Sequence, residues 1–385
     1  MDTKCLDKSF VAPTYGRFDL EIVKGKGSYV YDEKGKEYID LSTGIAVSTF
    51  GVSDEEWKSA VIAQLNAFSH TSNLYYTRPQ TELAQALCQR TGLKKVFFSN
   101  SGAEANECAI KVARKYSEDK YGAGRHTILT LKNSFHGRTL ATLSATGQDV
   151  FHSLFNPLVE GFRHTIANDI ADFEKQITDG SVCAVMVEIV QGEGGVMPLE
   201  KDYIEKVYKI CQQKDILLIC DEVQCGNGRT GKLYGYMNFD IMPDVVSTAK
   251  GLAGGLPLGA TMLGEKVENV LTPGTHGSTF GGNPVCSAGA LNVLNRIDEK
   301  LLAEVREKSK YIFETLGKAK GVKSVSGLGL MIGIETEKDA STIVNQCIEK
   351  GVLVIKAKNK VRLLPALNIP FDVLKKAINT LITVL

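Results

Sequence analysis

Three apolar runs in the middle of the chain set the fold. They are Val182-Cys-Ala-Val-Met-Val-Glu188, Ile216-Leu-Leu-Ile-Cys-Asp221 and Val245-Val-Ser-Thr-Ala-Lys250. None alternates apolar with polar residues, so each reads as a strand covered on both faces. Between the first two, Tyr203–Gln213 places Ile204, Val207, Tyr208 and Cys211 at helical spacing, which marks one buried helix face. Strand, helix, strand in this order predicts right-handed crossovers and a largely parallel sheet in an α/β domain. Upstream, Val96-Phe-Phe-Ser predicts a strand leading into a helix at Ser101. There Ser101-Gly-Ala-Glu104 has the form of a capping box, and Gly122 is the expected stop.

The flanks differ from this core. Residues 17–41 read as short strands with turns, 285–318 as one long helix, and 321–385 as mixed short strands and helices. The resulting parse is an N-terminal segment over 1–55 that adds to a small domain, a large domain over 56–280, and a C-terminal small α+β domain over 281–385.

Charge and composition narrow the function. The 45 Lys and Arg residues nearly cancel the 44 Asp and Glu residues, leaving a net charge of +1. No basic run marks a nucleic-acid face. A hydrophobic fraction of 43% argues against disorder. The nine cysteines are scattered, odd in number and without CxxC spacing, so free thiols in a reducing compartment are expected. The charged start, MDTKCLDKSF, lacks the apolar centre of a signal peptide. No run reaches the roughly 18 apolar residues of a membrane span. A cytoplasmic protein is the expectation.

Some motifs mislead. Gly226-Asn-Gly-Arg-Thr-Gly231 matches GxGxxG, and with Lys232 it approaches a phosphate-binding P-loop. A dinucleotide site needs a helix to start there, whereas Gly235 soon interrupts; a P-loop needs Ser or Thr where Leu233 stands. A glycine-rich turn is the better reading. The histidines lack metal-ligand spacing, although His136 sits in a promising loop, and no GxSxG elbow is present.

Chemistry gathers at the strand ends, where ligands of open parallel sheets bind. Gln191-Gly-Glu193-Gly-Gly195 follows the first run, Asp221 ends the second, and Lys250 ends the third before Gly251-Leu-Ala-Gly-Gly. A desolvated Lys favours its neutral, nucleophilic amine. A pyridoxal phosphate site needs such a Lys, a carboxylate for the ring nitrogen, a cover for the ring and an anion cradle. Lys250, Asp221, Phe135 with Val223, and Ser101-Gly102-Ala103 at a helix N-terminus answer each need.

The chain resembles the class III aminotransferases on the fold-type I pyridoxal phosphate scaffold, over nearly its whole length. The likeness is carried by Lys36–Ala46, Phe98-Ser-Asn-Ser-Gly-Ala-Glu-Ala-Asn-Glu107, Asn133-Ser-Phe-His-Gly-Arg-Thr139 and Gln191–Gly195. It continues through Asp221-Glu-Val-Gln-Cys-Gly-Asn-Gly-Arg-Thr-Gly231, Thr248-Ala-Lys250 and Thr275–Pro284. The resemblance implies that Lys250 bonds the cofactor, Asp221 pairs with its ring nitrogen and Gln224 reaches its ring hydroxyl. Ser101, Gly102 and Ala103 would hold the phosphate, completed by Thr279 from a second subunit of a homodimer. Arg138 and Arg362 would bind substrate carboxylates, with Glu193 masking Arg362 in one half-reaction, and with Ser278 and Tyr15 near the substrate. The implied reaction moves an amino group between N-acetylornithine and 2-oxoglutarate, in arginine biosynthesis. Ornithine, succinylornithine and 4-aminobutyrate are the alternative amines. Three departures are Ile189, where the family often has Pro, Gly51-Val-Ser-Asp54, where a Gly-His-x-His-Pro run is usual, and Cys225, where Thr or Ser is common.

Overall fold

The computed structural model describes residues 2–385. Its largest sheet has seven strands. Their spatial order is Lys95–Ser99, Gly259–Leu263, Val245–Thr248, Leu217–Asp221, Val182–Val187, Thr127–Leu131 and Phe162–Thr165. Only Gly259–Leu263 runs against its neighbours, pairing antiparallel on both sides.

The unbroken apolar runs are explained by how their side chains divide. Val185 and Val187 join Leu218, Cys220 and Val246 in one core, while Ala184, Met186, Leu217, Ile219 and Val245 join a second. Successive residues point to opposite faces of a strand, so both sets must be apolar when both faces are covered. The helix Lys201–Lys214 covers one face with Tyr203, Ile204, Val207 and Cys211. The helix Gly102–Tyr121 covers the other with Cys108, Ala109, Val112 and Ala113. Tyr203 is thus a core residue of its helix, whereas the expected Tyr208 is only partly buried.

The chain ends fold together. Strands Ile22–Lys26, Tyr29–Asp32 and Glu37–Asp40 form a sheet whose last member pairs in parallel with Val352–Leu353. Beside it, Val322–Leu328, Met331–Thr336, Lys360–Leu363 and Ile355–Ala357 make an antiparallel sheet. One expectation fails here. Residues 285–318 are not one helix but two, Pro284–Arg296 and Glu299–Leu316. Asp298 separates them, because its side chain accepts the Leu301 N–H at 2.8 Å and caps a new helix. Among the described residues no helix is long and apolar enough to cross a membrane, and all nine cysteines are free.

Candidate active site

The carboxyl ends of the central strands open into a cavity of about 450 Å³. At its floor the strand Leu217–Asp221 delivers Asp221, which is buried. Asp221 Oδ2 accepts from Asn106 Nδ2 at 2.7 Å and faces His136 Nδ1 at 2.8 Å; Oδ1 accepts the Val223 N–H at 3.0 Å. An ionised carboxylate only accepts, so Nδ1 of His136 carries the proton in this pairing. Asn106 is oriented in turn, its Oδ1 accepting from Ser247 Oγ at 2.6 Å. Asp221 is therefore locked in place before any ligand arrives.

Lys250 lies two residues beyond the end of strand Val245–Thr248, at φ 46°, and opens a short 3₁₀ turn to Ala253. A non-glycine residue in that region is strained by about 1–3 kcal/mol and must be held by its surroundings. The turn is held at several points. Asn227 Nδ2 donates to Thr248 Oγ1 at 3.1 Å and to the Ala249 carbonyl at 3.2 Å. Thr49 Oγ1 donates to the Gly251 carbonyl, and Trp57 Nε1 to that of Ala253. Burial pushes the Lys250 ammonium below its ordinary pKa, partly offset by Glu193. Desolvation thus favours the neutral, nucleophilic form of this amine.

At another wall, Ser101 caps the helix Gly102–Tyr121. Its Oγ accepts the Glu104 N–H at 3.2 Å, while the Glu104 carboxylate reaches back to the Asn100 N–H at 2.6 Å. The box is thus shifted by one residue from its usual form, in which the carboxylate meets the N-cap N–H. Ser101, Gly102 and Ala103 line the cavity, at the helix end whose first N–H groups lack intrahelical partners. A Cβ on Gly102 would come within 2.7 Å of Val223 Cγ1, so the bare glycine lets Val223 sit beside this cradle.

Phe135 and Val223 both line the cavity. Phe135 is fixed through its N–H, which donates to Glu188 Oε1 at 2.9 Å; Gly192 donates to Oε2 at 3.3 Å. Burial pushes the Glu188 carboxyl up to about 7.

The two arginines are in opposite conditions. Arg362, on the strand Lys360–Leu363, is buried and donates to Glu193 Oε1 at 2.6 Å and to Gln224 Oε1 at 3.1 Å. Gln224 also donates weakly to Glu193 at 3.4 Å, so its amide is engaged in this pair and not free toward the cavity centre. Burial alone would raise the Glu193 pKa, but Arg362, with help from Lys250 and Gln224, outweighs it and holds the carboxylate below its ordinary value. Arg138 makes neither a hydrogen bond nor an ion pair among the described residues. Its guanidinium lies over the rings of Phe151 at 4.3 Å and Phe135 at 5.5 Å.

Four expected residues do not line the cavity of their own chain: Arg362 stands behind Glu193 and Gln224, and Tyr15, Ser278 and Thr279 lie elsewhere. Tyr15 is 72% exposed and lies against Arg17. Ser278 and Thr279 line neighbouring clefts, with Ser278 Oγ accepting from Asn100 Nδ2 at 3.3 Å and from the Gly281 N–H at 2.9 Å. The sequence reading also missed residues. Asn106 was signalled by a polar side chain on the buried face of its helix, and Glu188 by a carboxylate closing an apolar strand. His136 was singled out without a role; it is the Asp221 partner. Cys225 takes the place of a hydroxyl without loss, its Sγ donating to the Val190 carbonyl at 3.2 Å and accepting the Val190 N–H at 3.3 Å.

An amine, a clamped carboxylate, an anion cradle and two ring covers around one cavity are the donor set that pyridoxal phosphate requires, and residues 10–385 match the family described as aminotransferase class-III. The chain belongs to the class-III aminotransferases. An acetylornithine aminotransferase from Haemophilus ducreyi is 51% identical over 384 residues, covering 99% of this chain and 98% of that one. Among solved structures, the N-acetylornithine aminotransferase of Stenotrophomonas maltophilia K279a superposes with a TM-score of 0.86 at 33% identity, covering 99% of this chain and 97% of that one. An ornithine aminotransferase from Toxoplasma gondii, with partial occupancy of PLP at its active site, superposes with a TM-score of 0.94 at 30% identity, covering 99% and 93%. The fold-type expectation for this class-III aminotransferase therefore holds across the chain.

Proposed function

We infer that this enzyme transfers an amino group between N-acetylornithine and 2-oxoglutarate, giving N-acetylglutamate semialdehyde and glutamate, as a step of arginine biosynthesis. The observation that carries this reading is the contrast between a free Arg138 and an Arg362 closed by Glu193. An ω-amine donor bears no carboxylate on its reacting carbon and one at its far end. Glutamate bears both. Glu193 and Arg362 are among the charges that act on Lys250, so Arg362 is the group suited to a carboxylate on the reacting carbon. Arg138 is suited to the distant one. With Arg362 masked, the site accepts the ω-amine; when Glu193 moves away, it accepts glutamate. The acetylornithine aminotransferases similar to this chain support the choice of amine.

The residues fit pyridoxal phosphate in these roles. Ser101, Gly102 and Ala103 would hold the phosphate, Phe135 and Val223 the ring faces, Asp221 the ring nitrogen, and Lys250 the aldehyde carbon. When bound, the cofactor supplies an electrophilic carbonyl and an electron-accepting ring. Lys250 Nζ, whose desolvation favours the neutral amine, would take the proton from the substrate carbon and later return it. Asp221, clamped by Asn106 and the Val223 N–H, would keep a positive charge on the ring nitrogen favourable. The arginine pair orients the substrate bidentately.

A homodimer in the cytoplasm completes the proposal. Thr279 would finish the phosphate cradle of the partner's site. Its loop adjoins exposed apolar side chains: Asn73 Nδ2 donates to the Ser278 and Gly281 carbonyls, and Leu74, Tyr75, Tyr76 and Phe280 stand exposed nearby. Such a patch is what an obligate interface covers.

The test is a half-reaction screen on the holoenzyme, following loss of the cofactor's visible absorbance. N-acetylornithine should act fastest, ahead of ornithine, succinylornithine and 4-aminobutyrate at equal concentration. If 4-aminobutyrate equals or exceeds N-acetylornithine, the substrate assignment is wrong.

A further inference from the structure

Phe151 belongs to no motif and lies in a short helix, Asp149–His152. Its ring nevertheless sits against Arg138, a cavity-lining cation with no hydrogen bond or ion pair among the described residues. The Arg138 guanidinium is 4.3 Å from the Phe151 centroid, and Phe151 meets Phe135 edge-to-face at 5.9 Å. The three groups form one stack, from the ring-covering residue to the carboxylate-binding residue.

The segment that bears Phe151 is fastened to the loop that bears Arg138. Gly147 N–H donates to Ser134 Oγ at 3.0 Å, and Gln148 Nε2 to the Ser134 carbonyl at 3.0 Å. His136 N–H donates to Thr146 Oγ1 at 2.9 Å. Phe151 N–H closes the turn onto the Gln148 carbonyl at 3.0 Å. Ring and guanidinium are therefore held in one frame. An arginine has many rotamers, and ordering it on binding opposes affinity. An aromatic face restrains it while leaving its in-plane N–H groups unused.

We propose that Phe151 is the positioning residue that presents Arg138 to the carboxylate farthest from the reacting carbon, in both half-reactions. This rests on the reading of Arg138 given above. Phe151 touches neither the reacting atoms nor the cofactor chemistry, so its effect belongs in substrate affinity, not in the limiting rate.

The test uses holoenzyme carrying Phe151→Leu, Phe151→Tyr or Arg138→Gln. The half-saturating concentration for absorbance loss is measured with N-acetylornithine, glutamate and alanine. Alanine has a carboxylate only on its reacting carbon, so it is the internal reference. Phe151→Leu should raise the values for N-acetylornithine and glutamate by about 3- to 10-fold relative to alanine, as expected for a lost cation–π contact. Phe151→Tyr, which keeps the ring, should restore them. Arg138→Gln should raise both by more. The proposal is overturned if Phe151→Leu leaves both ratios at the wild-type value while Arg138→Gln raises them. It is equally overturned if Phe151→Leu weakens alanine as much as the other two, which would mean general distortion. If Arg138→Gln changes neither ratio, the reading of Arg138 itself falls, and this inference with it.

Discussion

At the scale of single residues, the proposed selectivity rests on the contact between Glu193 and Arg362. The carboxylate is partly reachable from the cavity, the guanidinium is buried, and Gln224 braces both. Replacing Glu193 with Gln should leave Arg362 unmasked. The preference for N-acetylornithine over glutamate in the half-reactions should then fall by about tenfold, equivalent to about 1.4 kcal/mol. The pair also predicts a pH dependence of stability. Glu193 has its folded pKa held below the ordinary 4.5, so its contribution is present above that pH and is lost as the pH falls through the folded pKa. Denaturant titration should show Glu193→Gln less stable than wild type by about 1–3 kcal/mol at pH 7, with the difference shrinking in acid below 4.5. A constant difference across that range would mean that charge is not the cause. Much of this site was legible in the sequence, because Lys250, Asp221 and Glu193 each stand in a motif or near a strand end, while Arg362 was implied by the family resemblance alone. Asn106, Glu188 and Phe151 were harder to see: their roles are to orient other side chains, and such contacts arise only from folding.

At the scale of elements, two short structures decide whether the site forms. One is the start of helix Gly102–Tyr121, where Ser101 both caps the helix and lines the cavity. Ser101→Ala should destabilise the protein by about 1 kcal/mol and weaken retention of pyridoxal phosphate, read by equilibrium dialysis. Loss of stability with unchanged retention would confine Ser101 to capping. The other is the strained turn at Lys250, held by Asn227 from the glycine-rich Gly226–Gly231 loop. The nucleotide-like pattern of that loop thus reflects tight turns, with positive φ at Gly228 and Gly231. Strands were easy to read because burial on both faces leaves an uninterrupted apolar signature. The break at Asp298 was not, because apolar residues run on through both helices and only the cap marks the boundary.

At the scale of the whole molecule, the site joins parts of the chain that are far apart in sequence. Arg362 comes from the C-terminal sheet, and Arg229 fastens that region to the glycine-rich loop by donating to the Leu330 and Pro365 carbonyls. The proposed dimer extends the same logic across two chains. Mixing Lys250→Ala subunits with Thr279→Ala subunits should produce hybrids in which one site carries both changes and the other neither. Recovery of close to one intact site per hybrid is the expected result. Hybrids in which both sites are singly impaired would place Thr279 in its own subunit's site. The N-terminal strands reach the C-terminal region through a parallel pairing, Val352–Leu353 with Ile39–Asp40, that no local pattern in the sequence announces.

In this proposal amino transfer proceeds through Lys250, two residues past the end of its strand. Rapid mixing of the cofactor-loaded protein with glutamate tests it most directly. The wild type should lose its visible absorbance promptly, and Lys250→Ala loaded with the same cofactor should do so at least about a thousandfold more slowly. Bleaching of Lys250→Ala at the wild-type rate would contradict the account.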